Sequence, residues 1–246
     1  MSETPANGAA PQLPPLYTGL APLNVQQHRG LRIRDMGYGF AAQLPAVPLA
    51  VEEFALAARH MAVVFATQAP HLPLGILSAQ AGQNLFVDAE GRWRENTYIP
   101  AYLRRFPFLL VRVAPQSEEL ALCLDPNAPQ LSEAEGEPLF DEEGKPTAMA
   151  NRAFEFTRAV EASFLRTRDF VEGLTMLGLL APAAIQFEHG GRSMRVDGFH
   201  AVQKEAMAKL TGEQLVMLRD KGWLEPIHAH LLSVAALPAL TQQRAA

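Results

Sequence analysis

The stretch 96–108, "NTYIPAYLRRFPF", sets two adjacent arginines, Arg104 and Arg105, among tyrosines, phenylalanines and prolines. A guanidinium grips carboxylate or phosphate through paired hydrogen bonds and also stacks on aromatic rings. Pro100 suits the first position of a helix and Pro107 bars its continuation, which leaves about two turns. On such a helix Tyr98, Tyr102 and Phe106 share one face, and Arg104 and Arg105 lie off it. Two readings stand. In one, the rings are a core face and the arginines pair with carboxylates at its edge. In the other, Tyr98, Tyr102, Arg104 and Arg105 contact a small anionic ligand. Aromatic stripes are ordinarily packing, so the first reading takes precedence.

Other residues offer less. His28, in "PLNVQQHRGLR", sits near Arg29, Arg32 and Arg34. It joins the ligand-contacting candidates as a possible base, although a lone histidine is more often a hydrogen-bonded structural residue. His228 and His230 in "IHAH" would share a face on a strand and could bind a metal there. Pro226 favours a helix, where they point roughly 200° apart, so no metal site is expected. "GYGFAA" (37–42) matches G-x-G-x-x-A, but Pro45 and Pro48 preclude the helix that a dinucleotide site needs. Its glycines read as turn formers. Glu52 and Glu53, and the acids at 141–143, read as solvated. No nucleophile elbow or phosphate loop is present, no acid–base pair emerges from spacing, and no cofactor is called for.

The elements that must position these residues are mixed. "LYTGLAPLN" (16–24) and "GLRIRDM" (30–36) read as strands, 49–60 as a helix, and "MAVVFA" (61–66) as a buried strand. "LPLGILSA" and "QNLFVD" suggest a hairpin around Gly82 and Gln83. "PFLLVRVA" and "ELALCLD" make a second pair around 115–118. A short strand is expected at 139–140. Thr147 caps a long helix that Gly178 ends. A hairpin follows, turning at His189, Gly190 and Gly191. Thr211 and Gln214 form a capping box on a helix closed by Gly222, and a last helix starts at Pro226. The fold class is therefore α+β: an antiparallel sheet with short helices first, then a long helix, a hairpin and two further helices. Residues 1–15 read as a flexible arm, 16–130 as a sheet-rich part and 131–146 as an acidic connection rich in proline and glycine. Residues 147–246 form a helix-rich part that shares one core with 16–130.

Composition sets the bounds. At 246 residues, 48% of them apolar and 19% charged, the chain can bury a sizeable core. Its net charge of −5 argues against a nucleic-acid partner. Cys123 is the sole cysteine, which excludes an internal disulfide and fits a reducing compartment. No run approaches the ~18 apolar residues of a membrane span. The N-terminus lacks the pattern of a Sec signal, so a cytoplasmic location is expected, with leaderless export left open.

Taken together, "PLNVQQHRGLRIR", "VPLAVEEFALAARHMAVVF", "QNLFVDAEGRW", "YIPAYLRRFPF", "GLLAP" and "GWLEPIHAHLLS" resemble the bacterial SapC family over nearly the whole chain. It is not the membrane permease that shares the name. The resemblance implies an association with bacterial surface layers. Relatives also occur beside genes for TonB-dependent receptors, halogenase-like and cupin-like proteins, which implies nutrient uptake or modification of peptides or sugars. It supplies no catalytic residues. The expectation is a non-catalytic accessory or binding protein of a surface-layer or uptake system, with a small anionic ligand or a protein partner. The alternative is an enzyme, or an enzyme's partner, acting on a small anionic substrate.

Overall fold

The computed structural model describes residues 13–112, 119–189 and 192–242. In chain order the first elements are β1 (Ala21–Pro22), α1 (Val25–His28), β2 (Arg32–Ile33), β3 (Ala46–Pro48), α2 (Phe54–Ala57), β4 (Ala62–Ala66), β5 (Pro73–Ile76) and α3 (Ala101–Arg104). There follow β6 (Phe108–Arg112), β7 (Leu120–Leu124), β8 (Leu131–Ser132), β9 (Glu137–Pro138) and α4 (Ala148–Met176). The chain continues with β10 (Leu180–His189), β11 (Arg192–Val202), α5 (Lys204–Met207), α6 (Gly212–Asp220) and α7 (Leu224–Gln242). The fold is α+β, and every strand pairing is antiparallel.

The apolar run of β4 makes it the middle strand of a five-stranded sheet ordered β10-β11-β4-β5-β3. Side chains alternate across a strand, so Val63 and Phe65 enter the main core while Val64 joins a second cluster with Phe199 and Ala201. Two three-stranded sheets, β1-β7-β6 and β8-β2-β9, stand beside it. Phe108, Leu124, Leu139, Phe140 and Ala150 pack between these small sheets and the start of α4. The main core draws Phe54, Phe65, Phe170, Leu174, Leu218 and Ile227 together from distant parts of the chain.

Helix α4 starts at Thr147, whose side chain accepts from Ala150 N, and gives way at Gly178, where φ is +65°. Its buried stripe includes Thr157, Val160, Thr167, Val171 and Leu174. Gly173 lies on that stripe for a steric reason. A Cβ there would meet the Trp223 ring at 2.1 Å, so only glycine lets α4 approach the start of α7.

Helix α7 closes the sheet. His230 is 0% exposed, and it reaches two strands. Its Nδ1 lies 2.7 Å from Val63 O, and Val202 N donates to its Nε2 at 3.0 Å. A carbonyl only accepts, so Nδ1 carries the proton and Nε2 is bare. Ser233 Oγ takes the neighbouring Val63 N at 3.0 Å and donates to His230 O. The ladder from β11 to β4 covers only Phe199↔Ala66 and His200↔Phe65. Beyond it these backbone groups lack strand partners, and α7 supplies them. Burial lowers the His230 pKa to about 4.

Several expectations need correction. The strand at 83–88 is absent: β5 pairs β3 on one edge and β4 on the other, so no edge remains for it. Asn84 instead holds Ala41 O and Phe86 N in a turn. The helix at 49–60 is a 3₁₀ turn, Val51–Glu53, followed by the single turn of α2. The strands at 16–24 and 30–36 shrink to two residues each in β1 and β2, and the strand near 139–140 lies at Glu137–Pro138. The turn residues Gly190 and Gly191, and the loop at 115–118, lie outside the described residues.

Candidate functional site

The site grows from a buried carboxylate. Glu53 reads as solvated beside Glu52, yet it is only 6% exposed. Its Oε2 accepts from Ala50 N at 2.8 Å, and its Oε1 accepts from Ala101 N at 2.7 Å and Tyr98 Oη at 2.8 Å. These bonds fix where α3 begins. Pro100 becomes its cap rather than its first residue, and α3 is one turn of four residues instead of two turns. Tyr98 therefore precedes the helix. Burial, with the Glu53 charge beside it, raises the Tyr98 pKa.

Tyr102 and Arg105 point inward. Tyr102 is 2% exposed and donates from its hydroxyl to Pro15 O at 2.6 Å. Burial raises its pKa, and burial raises that of neighbouring Tyr17 to about 12. The Arg105 side chain is 4% exposed, pairs with Glu161 at 2.5 Å, and lies over the Tyr102 ring at 4.7 Å and the Phe164 ring at 5.5 Å. Arg105 thus follows the packing reading: a buried guanidinium held by a carboxylate and two rings.

Arg104 differs. It is exposed, lies over the Phe156 ring at 5.1 Å and the Tyr98 ring at 5.8 Å, and touches Tyr98 Oη at 3.4 Å. Among the described residues it has no carboxylate partner. It stands where two hollows meet. One, of about 300 Å³, has walls that include Arg105, Arg152, Phe156 and Thr157. The other, of about 230 Å³, has walls that include Arg34, Asp35, Tyr38, Phe40 and Gln130. Ile33, Arg104, Phe106, Glu137 and Met149 line both. The Phe40 and Phe106 rings stack at 4.7 Å, and Tyr38 adjoins Phe40 at 5.9 Å. Gly37 permits this wall: its φ is +63°, and a Cβ would strike Gly91 O at 2.6 Å. Burial raises the Tyr38 pKa against the opposing pull of Arg104.

Three residues of the groove walls also carry a buried side-chain atom without a hydrogen-bond partner. Buried side-chain atoms of this kind among the described residues are Arg34 Nε, Trp93 Nε1, Arg105 Nε, Gln130 Oε1 and His200 Nδ1. Arg34, Arg105 and Gln130 line the two hollows. Such atoms are rare in folded proteins and mark places where water, an ion or a ligand belongs.

His28 lines neither hollow. Its Nδ1 is 3.1 Å from both Asn24 N and Asn24 O, closing α1 on its own cap. His228 is exposed on α7 and His230 is buried, so the two do not converge. Sequence reasoning singled out Arg104 but missed Arg34, Gln130, Glu137 and Arg152. The basic segment around Arg32 and Arg34 was the available signal for one of them. Glu137 and Arg152 pair at 3.0 Å across the groove wall, from segments no local pattern connects.

Among the described residues no helix is long and apolar enough to cross a membrane. A family model described as SapC matches residues 23–240. No curated protein and no solved structure matches the chain.

Proposed function

The chain belongs to the SapC family, and on that premise we propose that it is a non-catalytic binding protein for a small anionic ligand. It would serve as an accessory of a bacterial surface-layer or nutrient-uptake system. The observation that carries this reading is the groove around Arg104. An exposed guanidinium without a carboxylate partner stands there between aromatic walls. Partnerless atoms of Arg34, Arg105 and Gln130 lie in the same walls. A ligand anion would dock on Arg104 with charge-assisted hydrogen bonds, and its body would lie along Phe40, Phe106 and Tyr38. Tyr98 then steadies Arg104 directly, while Tyr102 and Arg105 form part of the packed layer beside it.

Native mass spectrometry on protein purified from its own cells tests this. A bound small mass is expected in the wild type and in Arg166→Ala, and its loss is expected in Arg104→Ala. A clean apo mass in the wild type, or a bound mass that Arg104→Ala retains, overturns the assignment. Conversion of the bound compound during incubation would instead favour the enzyme reading, which keeps Arg104 but gains nothing from His28.

A further inference from the structure

Away from the groove, two histidines from distant parts of the chain meet. His71 lies in the turn between β4 and β5, and His200 lies on β11, brought close by the pairing of His200 with Phe65. The ring centroids are 4.7 Å apart, with 52° between the planes. The His71 backbone has φ +55°, an uncommon left-handed conformation for a residue with a side chain.

The chemistry of the two rings is specific. His71 Nδ1 is 2.9 Å from Ala66 O. Because a carbonyl only accepts, Nδ1 carries the proton and Nε2 keeps a bare lone pair. A backbone carbonyl on the far nitrogen is one of the common means, with carboxylates and water, of orienting a metal-binding histidine. On the neighbouring ring, His200 Nδ1 is withdrawn from solvent and has no partner. Neither ring has a carboxylate partner among the described ion pairs.

The ring separation permits a shared ion. With metal–nitrogen bonds of ~2.0–2.1 Å, the centroids of two imidazoles on one ion lie about 4.5 Å apart at a right angle and about 5.2 Å apart at the tetrahedral angle. The observed 4.7 Å falls inside that interval. We propose that His71 and His200 form a two-imidazole site for a divalent transition-metal ion of the zinc, nickel or copper kind. No group of three or more histidine, cysteine or carboxylate ligands occurs among the described residues, so water fills the remaining positions. A bound ion ties the β4–β5 turn to β11.

Calorimetric titration of the full chain with Zn²⁺, and separately with Ni²⁺, tests this. One ion per chain is expected, with a rise in melting temperature. His71→Ala and His200→Ala should each weaken binding by about tenfold or more and abolish that rise. His228→Ala, on the exposed face of α7, should leave both unchanged. Equal binding by the wild type and the His71→Ala/His200→Ala double variant overturns the site, as does no binding by the wild type. If His200→Ala does not fold, His71→Ala in the surface turn decides alone.

Discussion

Two clusters of buried polar groups set the α7 seam against the Arg104 groove. At the seam, His230 and Ser233 meet Val63 O, Val63 N and Val202 N, and both ring nitrogens are occupied. At the groove, Arg105 is also buried, yet its Nε has no partner, and neither do Arg34 Nε and Gln130 Oε1. Both clusters had to withdraw polar groups from water, at a cost that only hydrogen bonds offset. The seam recovers it within the chain. The groove recovers it only in part: Arg105 pairs with Glu161 and Arg34 bonds Pro129 O, but one side-chain atom of each stays unpartnered, and an exposed cation stands at its centre. On the proposed reading, this contrast is what distinguishes a structural polar cluster from one that binds another molecule.

The largest test of the contrast is at the seam. His230→Leu keeps the apolar volume but strands two buried backbone groups, each worth about 1–3 kcal/mol. We expect a loss of roughly 2–6 kcal/mol by denaturant unfolding, and a melting temperature lower by about 10 °C. A loss under about 1 kcal/mol would mean that the seam relaxes around water, and the contrast would fail.

Acid should reach the same point. The unfolded histidine takes up its proton near pH 6.5, whereas folded His230 resists until about 4. Between those values the unfolded chain binds more protons, so stability rises with pH. The contribution is complete above 6.5 and disappears as pH falls through 4. Protonation would also set an N–H on Nε2 against the Val202 N–H. The expected loss is on the order of 3 kcal/mol. Carboxylates titrate in the same range, so the quantity to measure is wild-type stability minus that of His230→Leu, from pH 7 to 4. A flat difference would remove His230 from the acid response.

Arg105 tests the groove from beneath. Arg105→Ala removes a guanidinium packed on Tyr102 and Phe164 and leaves Glu161, which is 30% exposed and can rehydrate. That exposure puts the cost below the ~3–5 kcal/mol of a fully buried pair, at about 2 kcal/mol. Arg105→Met, which keeps the packing, should cost less. If Met costs as much as Ala, the charge rather than the stem holds Arg105, and the groove floor resembles the seam more than proposed.

What was legible in the sequence follows the range of each interaction. Thr147, Gly178 and the Thr211–Gln214 box act within a turn of chain, and all three stand where the pattern placed them. Glu53 was misread because two of its partners, Tyr98 and Ala101, lie 45 and 48 residues away. The same bonds start α3 after Tyr98 and so break the stripe of Tyr98, Tyr102 and Phe106. The alternation at 30–36 was real, but ladder length is set by partners, and β8 and β9 each offer β2 two residues. At the site, Arg104 was visible as a charge among rings. That Arg105, its neighbour, turns inward depends on Glu161, which nothing in 96–108 reveals.

Arg104→Ala should have the smallest effect on stability and the sharpest on binding. The side chain is exposed and has only ring contacts and one long bond to Tyr98 Oη. Cation–π contacts at exposed sites are worth about 0.5–1 kcal/mol, so unfolding should shift by no more than that. Any co-purifying anion should nevertheless be lost. Arg104→Lys sharpens the point: it keeps the charge but not the fork that holds a carboxylate or phosphate in two bonds. Partial retention with Lys would mean that charge dominates, and complete loss would mean that geometry does. If Arg104→Ala instead destabilises as strongly as His230→Leu, Arg104 is a structural residue like those of the seam, and the groove loses its claim to a ligand.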